Sequence, residues 1–160
     1  MWGVSNIVYV QINLGMEEYI MECNSTISFE TKSKDKASLL EKVFNVYPDT
    51  SPYTWTNVEE MNKISNKYLN ELGLSLSAED IHKHLVELDT GITETVVVGS
   101  KVSIALFPVD FPEKFCELLF PFLDRSGFEN IECESNSEYG SQTLTFKNNA
   151  IVKDEDMNEF

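Results

Sequence analysis

Basic residues, and arginine above all, are scarce in this chain of 160 residues. Twelve Lys and Arg stand against 27 Asp and Glu, and Arg125 is the single arginine, which gives a net charge of −15 at pH 7. An electrostatic field of that sign repels nucleic acids and anionic membrane surfaces. The composition therefore predicts a protein that binds neither nucleic acid nor membranes.

Cysteine patterns and glycine-rich loops are lacking as well. The three cysteines, Cys23, Cys116 and Cys133, are widely spaced and match neither a disulfide framework nor a zinc site, so we expect reduced, buried thiols. The seven glycines are scattered among turns and form no phosphate-binding loop or dinucleotide fingerprint. The acidic run at residues 154–156 lacks the alternating spacing of a calcium loop. The sequence thus predicts no metal site and no cofactor.

Long hydrophobic runs are missing too. No stretch approaches the ~20 apolar residues of a membrane span, and the first residues lack the positive region and apolar core of a signal peptide. A hydrophobic content of 42% is nevertheless ordinary for a folded globular domain. We therefore expect a cytoplasmic protein with a well-formed core.

Hydrophobic periodicity predicts both strands and helices. A capping box of Thr56 and Glu59 marks one helix start, and Pro121 is expected to shorten or kink the last helix. The predicted strands are a hairpin within residues 7–30, a second hairpin at 96–107, and strands at 129–134 and 143–147; the predicted helices are 34–47, 56–72, 77–88 and one around 115–123.

The predicted order of elements is ββ-ααα-ββ-α-ββ. Strands that arrive in hairpin pairs, with helices in separate groups, favour an α+β fold in which helices pack on one face of a largely antiparallel sheet. We expect a single domain over residues 1–150, followed by a flexible acidic tail at 151–160.

Catalytic signatures are weak. His82 and His84, the two histidines, lie two residues apart on a predicted helix and point about 200° away from each other, so they do not form a metal-binding pair. Acidic pairs are too numerous for the sequence to single one out as a general acid and base. We therefore expect no enzymatic activity; the alternative is a small hydrolase or transferase with a site around His84.

The acidic residues are concentrated in the second half of the chain. Residues 68–138 hold fourteen acids and four bases, and this density exceeds what solubility alone requires. On the predicted strand at 129–134, alternation places Glu132 and Glu134 on one face. The candidate partner-binding residues are Glu79, Asp80, Glu87, Asp89, Glu94, Glu129, Glu132, Glu134, Glu138 and Tyr139.

The charge and size favour a binding protein over a catalyst. The leading hypothesis is a small inhibitor or antidote, of the kind found in toxin-immunity systems, that covers the basic active site of a partner such as a nuclease. Tyr139 and Phe128 are the aromatic anchors expected within the acidic surface. Two alternatives stay open: the acids only solubilise the protein, or an apolar patch of Tyr53, Trp55 and Phe107 serves an adaptor or subunit of a larger assembly.

Overall fold

The computed structural model describes residues 24–107, 112–137 and 140–157. The predicted strand at 7–14, Cys23, Glu138 and Tyr139 lie outside these ranges. The elements in chain order are β1 (Asn24–Glu30), α1 (Lys34–Asn45), a 3-10 turn (Pro52–Thr54), α2 (Val58–Leu72), α3 (Ala78–Leu88), β2 (Gly91–Val98), β3 (Lys101–Phe107), α4 (Glu113–Arg125), β4 (Glu129–Ser137), β5 (Gly140–Lys147) and β6 (Ala150–Met157).

The strands form one six-stranded sheet in the order β2-β3-β1-β4-β5-β6, and every neighbouring pair is antiparallel. Together with the four α-helices, this sheet confirms the predicted single α+β domain. The strand β1 lies near the middle of the sheet although it comes first among the described elements. Its two neighbours, β3 and β4, are distant in sequence, so no local pattern along the chain determines their pairing.

One face of the sheet carries the hydrophobic core. Alternate residues of the central strands, such as Ile27, Ile104 and Cys133, are fully buried there. The helices supply the opposing side: α1 packs beneath β2 and β3, and α4 beneath β4 and β5. A perpendicular ring contact between Phe120 of α4 and Phe146 of β5, with centroids 6.2 Å apart, fixes the second of these two packings.

Serine residues cap two of the helices. Ser33 accepts a hydrogen bond from the Lys36 backbone N–H before α1, and Ser77 does the same for Asp80 before α3. The predicted capping box at Thr56 is wrong, because α2 begins at Val58 and its cap residue, Asn57, makes no side-chain hydrogen bond. Trp55, the residue before Thr56, has an extended backbone, and its ring packs on Tyr47.

The helix α4 continues through Pro121, so the expected shortening does not occur. Proline removes one backbone hydrogen bond from a helix interior and costs about 3 kcal/mol there. Five fully buried side chains of α4 oppose that cost, namely Phe115, Cys116, Leu119, Phe120 and Leu123. Burial of a large apolar side chain contributes about 1.5–3 kcal/mol, so packing outweighs the local preference.

The flexible tail predicted from residue 151 is wrong over residues 151–157, which belong to the edge strand β6. Asn148 and Asn149 form the two-residue turn between β5 and β6, and both have positive φ angles, 53° and 63°. Such a turn suits the twist of a hairpin, and asparagine tolerates it better than most residues. The pair Asn-Asn was therefore the sequence signal for an additional strand.

Candidate functional site

The face of the sheet opposite the helices carries acidic side chains at corresponding positions on three strands. The register places Glu94 of β2, Glu134 of β4 and Asp154 of β6 in one row that crosses all six strands. Glu132 lies two residues from Glu134 on the same face of β4. We call these four residues, Glu94, Glu132, Glu134 and Asp154, the acidic face.

The parity of the strands establishes that the acidic face points away from the helices. On β4, Ile131 and Cys133 are buried in the core, so Glu132 and Glu134 lie on the other side of the pleat. On β6, the Lys153 ammonium lies 2.9 Å from a Glu113 carboxylate oxygen of α4. Lys153 therefore faces the helices, and its neighbour Asp154 faces away.

Residues with short side chains lie between these carboxylates on the sheet. The positions between Glu94 and Glu134 in the first row are Ala105 and Thr26, and the neighbouring row contains Ser103 and Ser28. Strands lie about 4.8 Å apart, so the row from β2 to β6 is about 24 Å wide, and Glu94 lies about 14 Å from Glu134. The side chains between the carboxylates are therefore short, and Ser28 among them is buried.

The charges of the acidic face are not neutralised locally. Within the described ranges, the ion pair of Lys153 with Glu113 is the only one, and it lies on the helical side. Its hydrogen bond raises the pKa of the Lys153 ammonium. Glu94, Glu134 and Asp154 are exposed and Glu132 is half-buried. The four carboxylates therefore form no ion pair with a described residue, and Lys101 and Lys147 are the cations that the strand register places on the same face.

The acidic residues of α3 lie on the other side of the molecule. Glu79, Asp80 and Glu87 are exposed on α3, and Asp89 follows at its end. Two of the four have local roles: Glu79 accepts a hydrogen bond of 2.9 Å from the Asn66 amide, and Asp89 accepts one of 2.9 Å from the Ser51 hydroxyl. The structure thus does not join these residues to the acidic face.

Glu129 and Phe128 are the remaining residues predicted for the acidic surface that have described positions. Glu129 is exposed at the start of β4, next to a bulge where the pairing with β1 shifts. Phe128, expected as an exposed anchor, is wrong in that role. Its side chain is buried and makes an edge contact with Phe29 in the core, with ring centroids 5.4 Å apart. Glu138 and Tyr139 have no described position.

An aromatic stack connects the loop after α1 with α3. Trp55 packs on Tyr47 with centroids 5.6 Å apart and on His82 at the same distance, and its indole N–H donates to the Thr50 carbonyl at 3.2 Å. His82 is half-buried by this contact. Tyr53 is 70% exposed, and its hydroxyl donates to the Val86 carbonyl at 3.3 Å.

His84 is half-buried on α3, with Nδ1 2.9 Å from the Asp80 carbonyl oxygen one turn earlier. This contact is local to the helix. Between α2 and α3 there is a shallow depression lined by side chains of both charges, including Glu59, Lys63 and Lys67. Among the described residues, no three His, Cys, Asp or Glu side chains are grouped as a metal site requires.

Cys116 of α4 and Cys133 of β4 are buried and reduced, as the cysteine spacing predicts. A hydrogen bond between the two thiols and their burial raise the pKa of the Cys116 thiol. A thiol whose pKa is raised is a poor nucleophile, because the thiolate is the reactive form. Both side chains are fully buried in the core.

Asp154 is the residue of the acidic face that sequence reasoning missed, because residues 151–160 were interpreted as a tail.

Comparisons of the chain with family models, with curated proteins and with solved structures find no match. No helix within the described ranges is long and apolar enough to cross a membrane.

Proposed function

We propose that this protein binds a basic protein through the acidic face and acts as an inhibitor or antidote of that partner. The observation that supports this proposal most is the placement of four carboxylates, none of them in an ion pair with a described residue, on a sheet face that no described helix covers. A surface of this kind fits a Lys- or Arg-rich face, such as the substrate-binding surface of a nuclease.

The net charge of −15 supports the same proposal kinetically. A strongly negative molecule attracts a basic partner before contact, and such steering raises association rates toward 10⁸–10⁹ M⁻¹s⁻¹ at low salt. Rapid capture benefits an antidote, because the partner causes damage for as long as it is unbound. The proposal also places the protein in the cytoplasm, where it would meet such a partner.

Charge reversal tests the proposal. The immobilised protein would first capture a basic partner at low salt, and the partner would be identified and purified. Association rates would then be measured for wild type and for the double variant Glu132→Lys/Glu134→Lys at several salt concentrations. We expect the variant to associate about tenfold or more slowly, and the wild-type rate to fall steeply with salt.

The matched control is Glu60→Lys/Glu71→Lys, which makes the same change in net charge on two exposed residues of α2. We expect this control to slow association less than about threefold, since it alters only the long-range field. Equal effects of the two variants would contradict a role for the acidic face. Failure to retain any basic protein would contradict the proposed function as a whole.

A second candidate is an adaptor that uses Tyr53. Its 70% exposure on a loop held against α3 is the observation that favours this function. Under this alternative, Tyr53→Ala would weaken partner binding and the reversal of Glu132 and Glu134 would not. The same association measurement therefore separates the two functions.

A further inference from the structure

The strand β2 is one edge of the sheet. It pairs with β3 on one side, and no described residue pairs with its other side. The backbone N–H and C=O groups on that outer side are a template for another extended strand. The feature is separate from the acidic face, although Glu94 of β2 belongs to both.

The two edges of the sheet differ in their protection against pairing. The outer strand β6 carries four consecutive charged residues, Lys153 to Asp156, which discourage the approach of another strand. The last four residues of β2, Thr95 to Val98, contain no charge and no proline, and Val98 is 72% exposed. β-Branched residues of this kind favour strand pairing. No described residue covers the β2 edge, and its own residues favour strand addition.

A polar group on β2 also lacks a partner. The hydroxyl of Thr95 is buried and has no hydrogen-bond partner among the described residues. It lies on the helical side of the sheet, in register with Ile104 of β3. A Ser or Thr on an added strand, opposite Thr95 on the outer side, would complete a cross-strand hydroxyl pair.

Charge decides which strand fits this edge. A second copy of the chain would bring a net charge of −15 against −15, with a Glu94 on each side of the new pairing. A basic segment would instead place its Lys or Arg side chains beside Glu94, on the side of the acidic face. Opposite charges on adjacent strands stabilise pairing, and like charges destabilise it.

We propose that the outer edge of β2 binds an extended basic segment by strand addition, with alternate cationic side chains directed over the acidic face. The inference rests on the proposed function and specifies the form in which the partner is recognised. Main-chain hydrogen bonds supply affinity in this mode, and the alternating side chains supply specificity.

The test uses a defined probe, a capped peptide of about eight residues in which Lys alternates with Val or Thr, matched to the length of β2. A control peptide has the same side chains and charge but carries N-methyl groups on alternate amides. Binding to the ¹⁵N-labelled full chain would be followed by amide shifts and by amide hydrogen exchange. We expect slowed exchange at Thr95 to Val98 and about tenfold weaker binding of the methylated peptide.

Two valines provide matched variants, since Val98 on β2 and Val152 on β6 are both exposed edge residues. We expect Val98→Lys to weaken peptide binding about tenfold and Val152→Lys, which adds the same charge at the opposite edge, to change it less than threefold. Urea unfolding of both variants would check that the fold is retained.

The outcomes distinguish this inference from the proposed function. Equal binding of both peptides, or shifts confined to Glu132 and Glu134 without protection of β2, would overturn strand addition and leave the acidic face as the binding surface. Concentration-dependent protection of β2 without any peptide would overturn it in favour of pairing between two copies. Protection of β2 together with an unaffected partner association in Glu132→Lys/Glu134→Lys would retain the edge site and reject the acidic face.

Discussion

Tyr47 shows how one buried polar group connects three elements. It follows α1, and its hydroxyl donates to Asn62 of α2 at 3.2 Å and approaches the Ala78 carbonyl of α3 at 3.4 Å. Burial raises the pKa of the Tyr47 hydroxyl to about 12, with a further contribution from the negative charge of Glu79. The phenol therefore stays protonated in the folded state at a pH at which an unfolded chain has lost the proton.

This shift makes stability depend on pH in the alkaline range. The folded protein binds the Tyr47 proton more tightly than the unfolded chain, so the stabilisation is complete below pH 10 and is lost as the pH rises from 10 to about 12. Urea unfolding of wild type and Tyr47→Phe would measure it. We expect wild type to lose about 2 kcal/mol relative to Tyr47→Phe over that range, which cancels or reverses the advantage that the hydroxyl confers below pH 10.

The substitution also lowers the free energy of unfolding below pH 10. Tyr47→Phe leaves the buried Asn62 amide oxygen without its donor, which destabilises the fold by about 1–2 kcal/mol. A difference between the two proteins that stays constant through pH 12 would show that Tyr47 titrates normally.

At the scale of elements, a single asparagine connects α2 to α3. The Asn66 side-chain oxygen accepts from the Ala78 backbone N–H at 2.8 Å, and its nitrogen donates to Glu79 at 2.9 Å. The Ala78 N–H belongs to the first turn of α3, where backbone donors have no partner within the helix. Asn66 therefore satisfies a group that the helix itself leaves unpaired.

We expect Asn66→Ala to destabilise the protein by about 1–2 kcal/mol, because the partly buried Ala78 N–H loses its acceptor. Asn70→Ala is the control, since Asn70 is exposed one turn further along α2, and its effect should stay within about 0.5 kcal/mol. Thermal unfolding of both variants measures the difference. Equal effects would mean that Asn66 contributes only through helix propensity.

At the scale of the whole molecule, repulsion between acidic residues opposes folding. The chain carries a net charge of −15, and the described residues contain a single ion pair. Added salt screens repulsion between exposed charges: the Debye length is about 30 Å at 0.01 M and about 3 Å at 1 M. In most proteins salt also weakens favourable ion pairs, but the described residues of this protein contain only one such pair.

We expect the melting temperature to rise by several degrees between about 0.01 M and about 1 M NaCl. Repeating the measurement on Glu132→Lys/Glu134→Lys would locate part of the repulsion, because a less negative acidic face should respond less to salt. A melting temperature that falls with salt would show that unrecognised favourable pairs outweigh the repulsion.

Local patterns in the sequence are enough to predict the fold class and most element positions. Periodicities of 3.6 and 2 residues follow from which side chains meet the core, and the serines before α1 and α3 satisfy helix ends locally. The alternation on β4 also placed Glu132 and Glu134 on one face. These features depend on residues close in sequence, so the amino-acid sequence of one protein is enough to predict them.

The distribution of the other acids over the surface depends on the tertiary structure. Glu94 shares a face with Glu132 and Glu134, and the α3 acids do not, because the strand order joins β1 to β3 and β4. Pairing between strands so far apart is selected by the fit of the whole core, and local residue patterns do not encode it. The burial of Phe128 and the docking of Trp55 on His82 were decided in the same way.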